Sequence, residues 1–228
     1  MLPANEWWGI LGAYGAAVWP AQALFYGGGW VLLVFLFRSP KAIFSLLMKS
    51  YLALSFGWIS VVFFLTLGKG LAGSSFFGIV FVVIAILFAV DVFRQKMVFR
   101  LPEGGWQRAL TLCLALTVMG YPLFSLALGR PLEKTIVPGT FPCPTTALAL
   151  VLLTTALPRV DRVLYILLLF WAIPFPPLIQ IPRYGVYEDT IMLMVGVYSL
   201  VMLVKYWKVR TLAKVSGFQP ESLMDELS

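Results

Sequence analysis

The sequence predicts an all-α, polytopic membrane fold, and three observations carry that prediction. Hydrophobic residues make up 61% of the chain and charged residues only 12%; a soluble domain carries about 25% charged residues. Several apolar runs approach or reach the roughly 20 residues that cross a bilayer. The basic residues gather at the ends of those runs. Together these give one transmembrane domain over residues 1–228, with about seven transmembrane helices. The formal net charge of +7 then belongs to span ends, where it sets orientation, and no nucleic-acid partner is expected. Met1 to Trp8 has no basic region before an apolar core, so the first span is expected to act as its own signal.

Ala4 to Val18 carries Trp7, Trp8 and Tyr14 among small residues and stops at Trp19-Pro20. Aromatic residues favour the headgroup level, so residues 4–18 are expected to lie in an interface. The first span follows over 20–37. Within it, Gly27-Gly28-Gly29 predicts close approach by a neighbouring helix. Arg38 to Lys41, with Ser39-Pro40, is a basic turn. The second span covers 50–67, and Gly68-Lys69-Gly70 turns into the third, 71–92. A polar stretch from Arg94 to Arg108, with the turn signal Pro102-Glu103-Gly104-Gly105, leads to the fourth span, 109–128. Tyr121-Pro122 falls in its last third.

The fifth span, 142–157, is short and bounded by Pro142 and Pro158. The sixth, 163–181, ends in the proline-dense stretch Ile173 to Pro177. The seventh covers 189–206, and residues 208–228 form a polar tail.

Seven spans put the termini on opposite sides. Thirteen basic residues then share one face: Arg38, Lys41, Lys49, Arg94, Lys96, Arg100, Arg108, Arg159, Arg162, Lys205, Lys208, Arg210 and Lys214. Four fall on the other: Lys69, Arg130, Lys134 and Arg183. The positive-inside rule makes the first face cytoplasmic, with the N-terminus outside and the C-terminus and tail inside.

With this threading, Trp19 to Gln22, Tyr121-Pro122, Pro142 to Thr146, Pro174 to Gln180 and Tyr187 to Thr190 all meet the outer face. Prolines in membrane helices free backbone carbonyls, which then need partners or line a wet cavity. One reading is plain kinks and end-stops. The functional reading is an outward-opening vestibule lined by Gln22, Tyr121, Cys143, Thr145 and Thr146, with Glu188 and Asp189 guarding its mouth.

Cys143 stands between two prolines, which favour the first helical turn. Its thiol therefore lies at the positive end of a helix dipole, a place for a soft metal ion or a reversible adduct. Met119 is the one nearby second soft ligand. The opposing reading is a small buried hydrophobe. A disulfide with Cys113 is not expected, because Cys113 falls near the inner end of the fourth span.

The chain contains no histidine. That argues against haem-b carriers, most zinc hydrolases and histidine-dependent intramembrane serine proteases. No ionisable group falls at mid-depth, which argues against a retinal protein or an ion-driven pump. No cofactor is expected.

Three motifs carry a resemblance: Trp19-Pro20-Ala21-Gln22, Gly120-Tyr121-Pro122 and Pro142-Cys143-Pro144-Thr145-Thr146. With the linker-like stretch Arg100 to Arg108, they resemble an uncharacterised family of prokaryotic multi-pass membrane proteins over nearly the whole chain. That family has an aromatic-His pair where this sequence has Ile59-Ser60. The resemblance implies a multi-pass fold and no particular activity.

Three functions follow as expectations. The leading one is a membrane protein that binds or passes a small solute or soft metal ion through the vestibule. The second is an accessory or scaffold subunit, with a homo-oligomer or larger membrane complex as partner. The third is an enzyme using Cys143 as nucleophile.

Overall fold

The computed structural model describes residues 2–39 and 41–216. Among these, all regular structure is helical. Five helices are long and apolar enough to cross a membrane, six if one bent pair is counted as a span. The proline-bounded segment is a shorter apolar helix outside that count.

Helix α1 runs unbroken over Ala4–Arg38. The expected interfacial segment 4–18 and the span 20–37 are thus one helix of 35 residues, with Pro20 inside it. Outside water, backbone groups are best satisfied within a helix, and the small residues Ala16 and Ala17 precede the proline ring. At 1.5 Å per residue α1 is about 52 Å long, well beyond the roughly 30 Å of a hydrocarbon core. Trp8, Leu11, Tyr14 and Val18 of its first half are buried in the bundle.

Helix α2 covers Ala42–Trp58 and continues as a π-helix over Ile59–Leu67, so this span begins well before the expected residue 50. After the 68–73 turn, α3 occupies Ser74–Arg94. The pair is tied by Phe56 stacked on Phe88, with centroids 5.6 Å apart. Ser60 Oγ also donates to the Gly78 carbonyl at 2.7 Å.

Helix α4, Gly105–Met119, and helix α5, Tyr121–Ala127, meet at Gly120 with a bend of 54°. Pro122 in the first turn of α5 has no N–H to continue the ladder. Of the glycine run in α1, Gly29 alone meets a neighbour: a Cβ there would fall 2.7 Å from the Tyr51 hydroxyl.

The segment from Thr135 to Phe141 is fully buried. Irregular backbone at depth survives only where protein groups satisfy it, and here side chains do so. Ser125 Oγ accepts from the Ile136 N–H at 3.4 Å. Thr145 Oγ1 accepts from the Gly139 N–H at 2.8 Å. The Tyr14 hydroxyl donates to the Thr140 carbonyl at 2.8 Å. The preceding turn presses its backbone at Glu133 directly onto Gly15, where a side chain would collide with the Glu133 carbonyl.

Helix α6, Pro142–Thr154, therefore starts inside the bundle, and all 13 of its residues are buried. Helix α7, Arg162–Ala172, is capped by the Asp161 carboxylate, which accepts from Val163 N and Leu164 N. The chain breaks at Pro174, forms a π-turn over Pro176–Gln180 and ends in a short α8, Ile181–Tyr184. Helix α9 runs over Asp189–Ser216, so the expected tail at 208 begins as helix. Residues 217–228 of that tail, and Pro40 of the basic turn, lie outside the described residues.

Candidate functional site

One end of the bundle gathers the first turns of α1, the π-helical end of α2, the 68–73 turn, the start of α6, the end of α7 with α8, and the start of α9. Between them lies a cavity of about 350 Å³. Small-molecule sites run from about 300 to 1,000 Å³.

Its walls are aromatic: Trp7, Phe63, Phe64, Phe77, Phe141, Trp171, Phe175 and Tyr184 all face it. Their orientations are fixed by mutual packing. Trp171 stacks on Phe175 at 4.3 Å and meets Phe77 edge-on at 5.0 Å. Trp7 stacks on Tyr184 at 4.6 Å. Ala72 and Gly73 are the exposed members of the lining, which puts the mouth at the turn between the second and third spans.

The polar groups concentrate where α6, α7 and α9 converge. Gln180 Nε2 donates to Cys143 Sγ at 2.9 Å. The carboxyl of Asp189 and the indole of Trp171 lie close beside the same thiol. From α5, the Tyr121 hydroxyl donates to Asp189 Oδ1 at 3.3 Å. Three buried atoms of this group have no partner in full hydrogen-bond geometry, Asp189 Oδ2, Gln180 Oε1 and Trp171 Nε1; the nearest group to the carboxyl and the indole is the Cys143 thiol, a weak donor and weak acceptor. Each such atom costs about 1–3 kcal/mol when left unpaired. Their convergence on one cavity is the arrangement of a site that a bound molecule completes.

Beside the cavity, Arg130 closes a clasp. Its Nε donates to Glu188 Oε1 at 2.8 Å and its Nη2 to the Gly185 carbonyl at 2.6 Å. Its guanidinium sits 3.7 Å over the Trp8 ring, and Trp8 Nε1 donates to the Tyr184 carbonyl at 2.8 Å. The clasp joins α1, the loop after α5 and the α8–α9 turn.

Of the residues expected in the vestibule, Cys143 and Asp189 line the cavity, and Tyr121 supports Asp189 from behind. Glu188 and Asp189 do not guard an open mouth: they are only 2% and 0% exposed, because the first turn of α9 is covered by the Arg130 clasp and by α5. Buried charge therefore stands at the ends of the spans, Glu188 and Asp189 at the cavity end and Lys49 and Asp91 at the other.

Gln22, Thr145 and Thr146 are buried outside the lining. Thr145 spends its hydroxyl on the Phe141 carbonyl, at 2.6 Å, and on Gly139. Met119 packs toward Gly29 of α1, away from Cys143. Among the described residues no group of three or more His, Cys, Asp and Glu side chains is placed to hold a metal ion. Both cysteines are free, Cys113 exposed and Cys143 buried.

Gln180, Trp171, Trp7 and Tyr184 were not expected in the site. A signal existed for Gln180, a lone amide between Ile179 and Ile181 at the end of an apolar run. The aromatic walls gave none, since their phenylalanines look like any lipid-span residue.

A family model matches residues 4–214. The chain belongs to DUF6064, a family of unknown function. No curated protein and no solved structure matches it.

Proposed function

We propose that this protein binds a small amphiphilic solute in an outward-facing cavity and that it has seven spans, with the N-terminus outside and the C-terminus in the cytoplasm of a prokaryote. The observation that carries the reading is the trio of unpartnered buried atoms, Asp189 Oδ2, Gln180 Oε1 and Trp171 Nε1, beside an aromatic cavity. Binding is favoured over free passage because α6, buried along its whole length, lies beneath the polar groups. Movement of solute as in a transporter would require that helix to shift.

The span that completes seven in this reading is the fifth in chain order, α6 together with the buried segment 135–141. A helix of 13 residues covers about 20 Å, and the buried loop contributes the remaining depth. Orientation rests on the basic residues, which crowd the end opposite the cavity.

The rival reading is an accessory subunit of a larger membrane complex. It draws support from Gly27 and Gly28, where nothing among the described residues lies within 4 Å of an added Cβ. An enzyme using Cys143 is the weakest reading, since the thiol is buried, unlike the partly exposed, electropositive setting of reactive cysteines.

The test is labelling with a membrane-impermeant maleimide in right-side-out vesicles, in a Cys113→Ser background. Ala72→Cys should react from outside, Lys96→Cys only after permeabilisation, and Cys143 from outside at a slower rate. Reaction of Lys96→Cys before permeabilisation would reverse the orientation. Cys143 reacting only after denaturation would make it a packing residue and remove the vestibule.

A further inference from the structure

We propose that the cavity takes a small organic ammonium ion, an apolar body bearing N–H donors, with Asp189 as its counter-charge. This rests on the vestibule reading above and adds the chemical class of the ligand.

The charge argument comes first. Asp189 is 0% exposed. Among the described residues no lysine or arginine nitrogen lies within 4.0 Å of its carboxylate; the two ion pairs are Lys49–Asp91 and Arg130–Glu188. An isolated ionised carboxylate is very unfavourable in an apolar interior, so without a cation beside it the group is driven to take up a proton. A cation entering from outside supplies what the chain does not.

The walls fit the same ligand. A cation within about 6 Å of an aromatic centroid is attracted by the ring's negative face, and more strongly when desolvated. Trp7, Phe63, Phe64, Phe77, Trp171 and Tyr184 bring six such rings to the cavity.

The hydrogen-bond inventory narrows the class. Asp189 Oδ2 and Gln180 Oε1 are acceptors that lack a donor. An alkylammonium with N–H groups satisfies both, whereas a quaternary ammonium satisfies neither. The protein shows this recognition already filled next door. There the Arg130 cation sits over Trp8 and donates to the buried Glu188. The ammonium site repeats that pattern with the cation left to the ligand.

The experiment is isothermal titration of the purified full chain in mild detergent with three probes. They are 2-phenylethylammonium, its neutral isostere 2-phenylethanol, and its N,N,N-trimethyl analogue. The wild type should bind 2-phenylethylammonium at least 10-fold more tightly than either of the others. Asp189→Asn, checked for folding by size-exclusion profile, should lose that preference and keep the affinity for the alcohol. Equal affinity of the wild type for ammonium and alcohol overturns the proposal, even if the variant does not fold. So does a preference that survives Asp189→Asn. No binding of any probe, with Cys143 still labelled from outside, overturns the ammonium ligand and leaves the vestibule standing. Loss of both signals sinks the two readings together.

Discussion

Each end of the bundle buries an aspartate, Asp91 at one and Asp189, next to the paired Glu188, at the other, and the two aspartates are treated in opposite ways. At the end rich in basic residues, Asp91 meets Lys49 Nζ at 2.9 Å. The same ammonium donates to the Asp91 carbonyl at 3.1 Å and to the Met97 carbonyl at 3.0 Å, so all three of its donors are used. Asp91 in turn accepts from the backbone N–H groups of Lys96 and Met97. At the cavity end, Asp189 has a tyrosine hydroxyl on Oδ1, the weakly donating Cys143 thiol beside its carboxyl and no partner in full hydrogen-bond geometry on Oδ2. The first cluster is complete and fastens the segment after α3. The second is incomplete and faces a cavity. Burial alone therefore does not mark a functional carboxylate; an unfinished hydrogen-bond shell beside open space does.

That contrast can be attacked at several points. The largest effect is expected from Lys49→Met, which strands Asp91 in the interior. Breaking a buried pair from one side costs about 3–5 kcal/mol, so unfolding in detergent should shift sharply to lower temperature. Arg130→Gln should cost somewhat less: it leaves the fully buried Glu188 carboxylate without its counter-charge, but the arginine side chain is 18% exposed, so its loss opens a path for water to that carboxylate. Proteolysis near residues 130–135 would report the opened clasp.

Thr145→Val removes the acceptor for the Gly139 N–H and should cost about 1–3 kcal/mol, read as a lower unfolding midpoint. Thr146→Val, one residue on, should be neutral or slightly stabilising, because its buried hydroxyl has no partner to lose. A thermal-shift series on the two threonine variants would sharpen the distinction between groups that hold the loop and groups that do not. Equal losses would contradict it.

The contrast was only half visible in the sequence. The membrane fold followed from composition, and most spans followed from apolar runs. Alternation of those runs also brought Cys143 and Asp189 to one face, although 46 positions separate them. Gln22 was expected with them through the break at Trp19-Pro20, but the helix does not break there, and Gln22 lies elsewhere on α1. The aromatic walls could not be read, because phenylalanines at helical spacing look the same whether they face lipid, a neighbour or a cavity. The role of Thr145 was hidden for another reason: it depends on a buried loop whose path only tertiary packing reveals. Glu188 was expected at an open mouth because nothing local tells that Arg130, 58 positions away, would reach it.

The most direct measurement compares Asp91→Asn with Asp189→Asn in the same detergent, each against wild type, by thermal unfolding. Asp91→Asn should be clearly destabilised, because a buried ammonium loses its counter-charge. Asp189→Asn should hold the wild-type midpoint or exceed it, because an unpaired charge is removed from the interior. Equal destabilisation of the two would mean that Asp189 is as structural as Asp91, and would contradict the division between a closed cluster and an open one.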